Sequence, residues 1–222
     1  MATAAAGAVT DGPVCAAHTG PPPTLEIVRM DEIGLAESLA VAGLDYMGMV
    51  ATTATYAPPT LVTFARAGGG GEFVCAEEVA YDDPQRVAKL NAAWMQMCTD
   101  AGLFDNSHRF LVGVKIEEND DEDPVWWWAE VALMDRWDLA GAGAATGVLG
   151  TGAGYPAFVM LSLDGNVVVR AAREQGGVGI GVHRCPNRMP VLRSHGEWMA
   201  AWPDSPEFTR NAIRRWLDAH PE

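Results

Sequence analysis

Apolar positions along the chain follow two periods, and each predicts a different kind of element. Between Asp83-Pro84 and Gly102, the residues Val87, Leu90, Trp94, Met97, Cys98 and Ala101 recur at helical spacing. Asp83 stands where a cap is needed and Pro84 at the first helical position, so the spacing predicts an amphipathic helix over about residues 84–101 that Gly102 ends. Phe110 to Ile116 and Val125 to Met134 read instead as strands. In the second, Val125, Trp127, Ala129, Val131 and Leu133 share one face, and Trp126, Trp128, Glu130 and Met134 share the other. Trp127 is therefore expected in the core, while Trp126 and Trp128 need cover from a helix or a partner.

Shorter runs complete the outline. Tyr155 to Leu163 and Val167 to Arg170 flank Asp164-Gly165-Asn166, and an Asp-Gly turn between apolar runs is a strong hairpin signal. Val178 to His183 predicts a further strand of the same sheet. Leu61 to Ala65 and Glu72 to Ala76, separated by Gly68 to Gly71, predict another hairpin with a flexible tip. Asp31 could cap a helix carrying Ile33, Leu35 and Leu39, which Gly34, Gly43 and Gly48 weaken. Ser194-His195-Gly196-Glu197 has capping-box spacing, and Ser205-Pro206 starts a last helix carrying Ala212, Ile213, Trp216 and Leu217. Strands in the middle and helices at the end predict an α+β fold, a single domain whose mainly antiparallel sheet is packed by helices near 84–101 and 194–219. Residues 1–24, rich in Ala, Gly, Thr and Pro, read as a disordered tail, and residues 25–222 as the globular domain.

Composition narrows the function classes. At 222 residues and 49% hydrophobic, the chain can bury a substantial core. Its 15 Lys+Arg against 29 Asp+Glu give a formal charge of −14, which repels phosphate backbones and removes the counterion-release term that drives nucleic-acid binding. A basic protein is the expected partner, and nucleic acid is not. No apolar run approaches the about 20 residues that span a bilayer, so no membrane partner is expected. Residues 1–23 carry no Lys or Arg and no long apolar region, a poor signal peptide. Cys15, Cys75, Cys98 and Cys185 lack C-x-x-C spacing and read as reduced thiols, which together with the missing leader predicts a cytoplasmic protein.

The stretch with most to say about partners is acidic. Glu117, Glu118, Asp120, Asp121, Glu122 and Asp123 lead through Pro124 into Trp126, Trp127 and Trp128. The run lacks the spaced ligands and central glycine of a calcium loop, so no metal site is expected there, and a solvated strand connection or a docking patch for a basic partner are the remaining readings. Gly147, Gly150, Gly152 and Gly154 lead into a strand rather than opening a helix and lack the Lys-Ser/Thr of a phosphate loop; they read as a mobile connector. His183, Cys185 and His195 could form a thiol–imidazole pair or part of a zinc site, against the plainer reading of a turn thiol and a histidine near a helix start. No hydrolase, metalloprotease or kinase signature is present, and no cofactor motif.

Residues 150–169, Gly-Thr-Gly-Ala-Gly-Tyr-Pro-Ala-Phe-Val-Met-Leu-Ser-Leu-Asp-Gly-Asn-Val-Val-Val, resemble the glycine-led strand, turn and strand of the SMI1/KNR4-like (SUKH) superfamily. The segment carrying Glu197-Trp198-Met199 is similar to the helix that comes after this hairpin in those proteins. The resemblance covers about a quarter of the chain, and the family's usual Leu-Pro and Asn-Gly features do not stand before residues 61–76. It implies an α+β binding domain, in many members an immunity protein against toxins of competing cells. The expectation is thus a non-enzymatic protein-binding domain, an acidic immunity-type protein that meets a basic partner through residues 117–123, Trp126 and Trp128. The alternative is a small-molecule enzyme or ligand-binding protein with a pocket near His183, Cys185 and His195.

Overall fold

A computed structural model describes residues 32–51, 55–65, 72–116 and 125–221. The chain runs α1 (Glu32–Val41), β1 (Leu44–Val50), α2 (Pro59–Val62), β2 (Glu72–Ala80), α3 (Arg86–Ala101), β3 (Arg109–Ile116), β4 (Val125–Leu133), a π-helical turn (Leu139–Gly143), β5 (Phe158–Leu161), β6 (Val167–Arg173), β7 (Gly177–Arg184), a 3-10 turn (Pro186–Arg188), α4 (Pro190–Ala201) and α5 (Glu207–Ala219). The seven strands form one antiparallel sheet in the order β1-β4-β3-β5-β6-β7-β2. The fold is the single-domain α+β arrangement that the pattern predicts. Among the described residues, no helix is long and apolar enough to cross a membrane.

The middle of the sheet is covered on both faces, which explains why its central strands read as nearly unbroken apolar runs. On one face Phe110, Val112 and Val114 of β3, Phe158 and Met160 of β5, and Val167, Val169 and Ala171 of β6 meet Leu35 and Leu39 of α1 and Leu90, Trp94, Met97 and Cys98 of α3. On the other, Leu111, Trp128, Val159, Leu161 and Val168 meet Leu61 and Val62 of α2, Leu192 of α4 and Ile213 and Trp216 of α5. Alternation along β3, β4, β5 and β6 divides the two cores. Trp94 is 1% exposed and donates its Nε1–H to the Met160 sulfur at 3.3 Å, so the one polar atom of its indole is satisfied inside the core. Burial of side chains of this size contributes about 2–3 kcal/mol each.

Three expectations need correction. Leu61 to Ala65 is not a strand: Pro59 opens a helical turn in which Leu61 and Val62 are fully buried. A short apolar run cannot by itself distinguish a strand from a buried helical turn. β2 accordingly pairs not with that segment but with β7, Ala76 opposite Gly181 and Glu78 opposite Gly179. The second half of the 25–50 region is strand β1, which pairs with β4 and carries a bulge at Gly48, where φ is 139°. The first C-terminal helix, α4, begins at Pro190 rather than Ser194, while α5 follows Ser205-Pro206 as expected. Pro190 supplies the preset φ of a first helical residue.

Candidate binding groove

The tryptophan end of β4 is closed. Trp128 is 5% exposed and donates its Nε1–H to the carbonyl of Ala57 at 3.0 Å. Trp127, which reaches past the end of β1 because the pairing stops at Val50–Trp128, meets Phe208 of α5 with ring centroids 4.7 Å apart. Trp126 is half-buried beneath Lys115, whose Nζ stands 5.1 Å from the ring centre. The space between these rings, Tyr56 and α5 is about 20 Å³, room for one water. Helices and Lys115 thus give the cover that the alternation demanded, and Trp128 offers a partner almost no surface. That corrects its expected place in a docking patch. The acidic run Glu117, Glu118, Asp120, Asp121, Glu122 and Asp123 lies outside the described residues.

The open site is at the other end of the same sheet face. α2 and α5 lie against β4, and beyond Val168 a groove of about 740 Å³ runs over β6, β7 and β2. Its floor is set by Gly179 and Gly181 of β7 and Ala76 of β2. Its walls are Glu78 of β2, Arg170 of β6, and Glu174 to Gly176 of the β6–β7 turn, while Ala65 and His183 close its far end. Arg170 pairs with Glu174 at 3.3 Å. His183 is 2% exposed, and burial, helped by the nearby Arg170 charge, holds its imidazole below the usual histidine range. By the β2–β7 register Glu77 shares its face with Ile180 on the opposite side of the sheet, so the carboxylates on the groove side are Glu78 and Glu174, beside the Arg170 guanidinium.

A strip of aromatic rings continues from its far end. Phe64, next in sequence to Ala65, lies on His195 of α4 with centroids 3.6 Å apart. His195 stacks on Trp198 at 5.3 Å, and Trp198 meets Trp202 edge-on at 4.3 Å. Positions 195, 198 and 202 lie on one helix face. Trp198 is 50% and Trp202 43% exposed, so two indoles stand open to solvent. Burial in this stack depresses the basicity of His195.

The residues singled out as a possible thiol–imidazole site occupy different settings. His183 lines the groove and His195 belongs to the aromatic strip. Cys185 sits past the end of β7 in the left-handed region, φ 52°, with its N–H donating to the Asn166 carbonyl at 2.8 Å. Cys75, Cys98 and Cys185 are free thiols. Among the described residues, no group of three or more His, Cys, Asp or Glu side chains could hold a metal ion.

Residues 140–154 are an ordered connection, not a mobile one. Asp138 accepts the Gly141 and Ala142 N–H groups at 2.8 and 2.9 Å and a hydrogen bond from the Asn91 amide at 2.7 Å. Leu139, Ala140, Gly141 and Gly143 are buried. Asp138 thus takes amides that an anion would need. Burial raises its pKa, but the bonds from Ala142, Asn91 and Gly141 outweigh that and hold it below the usual carboxylate range.

The chain matches no protein-family model, no curated protein and no solved structure. The groove's acidic and glycine residues were not singled out from sequence, although a signal was there. In Gly177-Val178-Gly179-Ile180-Gly181-Val182-His183, every second residue on one face is glycine until His183. That alternation places apolar side chains in the core and leaves the opposite face bare.

Proposed function

We propose that the chain is a non-enzymatic binding domain for a basic protein, an acidic immunity-type protein in the sense its resemblance to the SMI1/KNR4-like superfamily implies. The observation that carries this reading is the groove walled by Glu78 and Glu174, continued by the exposed indoles Trp198 and Trp202. Carboxylates with a formal charge of −14 behind them accelerate encounter with a cationic surface. Exposed tryptophans are the side chains that most often anchor such an encounter. The acidic run at residues 117–123 adds long-range attraction under this reading, and anchoring passes from Trp126 and Trp128 to Trp198 and Trp202. The test is capture of a basic protein by the chain, followed by titration of the purified pair at two salt concentrations. Trp198→Ala weakens the complex if the reading holds, and an unchanged affinity in both Trp198→Ala and Trp202→Ala removes the anchoring role.

One observation favours a second reading. A groove of about 740 Å³ falls in the size range of small-molecule sites, so the same walls could hold a cationic small ligand. A ligand screen that shifts the amide signals of Gly179 and Gly181 while protein capture fails decides for it.

A further inference from the structure

Among the described residues, nothing requires Gly181 to be glycine, and at Gly179 the one close neighbour is a flexible side chain. Neither glycine lies in the left-handed region. A Cβ on Gly181 would have as its nearest neighbour the His183 Nε2 at 3.7 Å, an ordinary contact, and one on Gly179 would fall 3.0 Å from the Glu174 Cγ, a tight contact that the Glu174 side chain must shift to relieve. Gly177 differs, since its Cβ would fall 2.2 Å from the Val79 carbonyl oxygen. Strand propensity opposes glycine at the two open positions. The use that remains for glycine inside a strand is the close approach of a ligand or another backbone. One neighbour of each on this face is small as well, Ala76 opposite Gly181 and Ala172 opposite Gly179, while Arg170 and Glu78 stand on the other side of them as walls. The groove floor therefore lies at the level of the sheet backbone, and from Gly177 to His183 it extends about 20 Å.

We infer that the groove receives an extended segment of the partner, about six residues long, laid along β7 with lysine or arginine side chains directed at Glu78 and Glu174. This rests on the reading that the partner is basic. Charge selects the occupant, because Arg170 and Glu174 offset each other as an ion pair and Glu78 leaves the wall net negative. The chain's own N-terminal residues 1–31 are a poor complement, since they carry Arg29 against Asp11, Glu26 and Asp31. A flat glycine floor suits a strand-like backbone, whose side chains alternate toward the two sides.

The probe is an end-capped hexapeptide alternating threonine and lysine, titrated into the full chain at low salt while amide signals are followed, with a threonine–glutamate peptide as control. The lysine peptide is expected to shift the Gly179 and Gly181 amides to saturation, and the glutamate peptide to leave them in place. Gly181→Val is expected to weaken binding about tenfold or more while leaving the melting temperature unchanged or higher, because valine is the better strand residue. A purely structural role for the glycine gives the opposite sign in stability. Where Gly181→Val fails to fold, Glu78→Lys replaces it with the same expected loss. Saturation without movement of those amides, equal affinity for Gly181→Val, or no binding at millimolar peptide overturns the inference. So does a Gly181→Val change that displaces the signals of residues 1–31 in the free chain, which would assign the groove to the chain's own tail. Partner capture that survives Gly181→Val but is lost in Trp198→Ala overturns the groove assignment and leaves the basic-partner reading standing.

Discussion

The two classes of tryptophan on the helix-covered face should separate cleanly in stability. Trp128 is 5% exposed, sits among Leu111, Val159 and Ile213 of the second core and donates a hydrogen bond to Ala57. Trp128→Ala removes a buried indole and leaves a cavity, a loss of about 3–5 kcal/mol. Trp128→Phe keeps most of the volume but strands the Ala57 carbonyl, a loss of about 1–3 kcal/mol. For a domain of this size each kcal/mol lowers the melting temperature by about 2–4 °C, so the alanine variant should melt about 6–20 °C lower. Trp198, half exposed and packed on His195 and Trp202, should cost about 1 kcal/mol or less on truncation. Thermal and urea unfolding of the three variants at one pH, followed by circular dichroism, measures the contrast. A Trp128→Ala variant that melts within 2 °C of the parent, about the effect of 1 kcal/mol or less, would refute the placement of this indole. Equal losses at Trp128 and Trp198 would refute the division of the tryptophans into core and surface.

Other outcomes depend on single contacts. Asp138→Ala leaves Gly141 N–H, Ala142 N–H and Asn91 without their acceptor and should lower stability by about 2–3 kcal/mol, less than the sum of three charged hydrogen bonds because the site is partly exposed. Because the folded pKa of Asp138 is depressed, its contribution is present above the unfolded carboxylate value near ~3.9 and is lost as pH falls through the lower folded value; the parent's stability should therefore fall more steeply below pH ~4 than that of Asp138→Ala in urea titrations. Gly43→Ala places a Cβ 2.2 Å from the Arg136 carbonyl oxygen at φ +80° and should prevent folding or lower the melting temperature sharply, whereas Gly147→Ala, with open space around its Cβ, should show only the modest cost of its positive φ, about 1–2 kcal/mol. Cys98 is fully buried and burial pushes its thiol well up; iodoacetamide at pH 8 should label it only after denaturation, and labelling of the native chain at Cys98 would show that α3 is not packed as described.

What could be read from sequence is what neighbours in sequence decide. α3 is legible from its own periodicity, and β5–β6 from an Asp-Gly turn. The alternation in β4 placed Trp126 and Trp128 together on one face, but their cover by α2, α5 and Lys115 depends on elements mostly far away in the chain. β2 shows the same limit: its apolar run was visible, while its partner β7 stands about a hundred residues on. The groove inherits this distance, since Glu78 and Gly179 meet only through that pairing. β1 was hidden by Gly48, which reads as a helix or strand breaker and serves as a bulge. At Asp138 a buried cap turned a glycine-rich stretch that reads as flexible into an ordered turn.

The most direct test of the account is the association rate of the chain with its captured basic partner at about 0.05 and 0.3 M salt, for the parent and for a variant combining Glu78→Lys with Trp198→Ala. The account expects the parent's rate to fall about tenfold or more as salt rises, and the double variant to bind more slowly at low salt and to dissociate faster. A parent rate indifferent to salt, or a double variant indistinguishable from the parent, would contradict charge-guided capture on the groove and its neighbouring indoles.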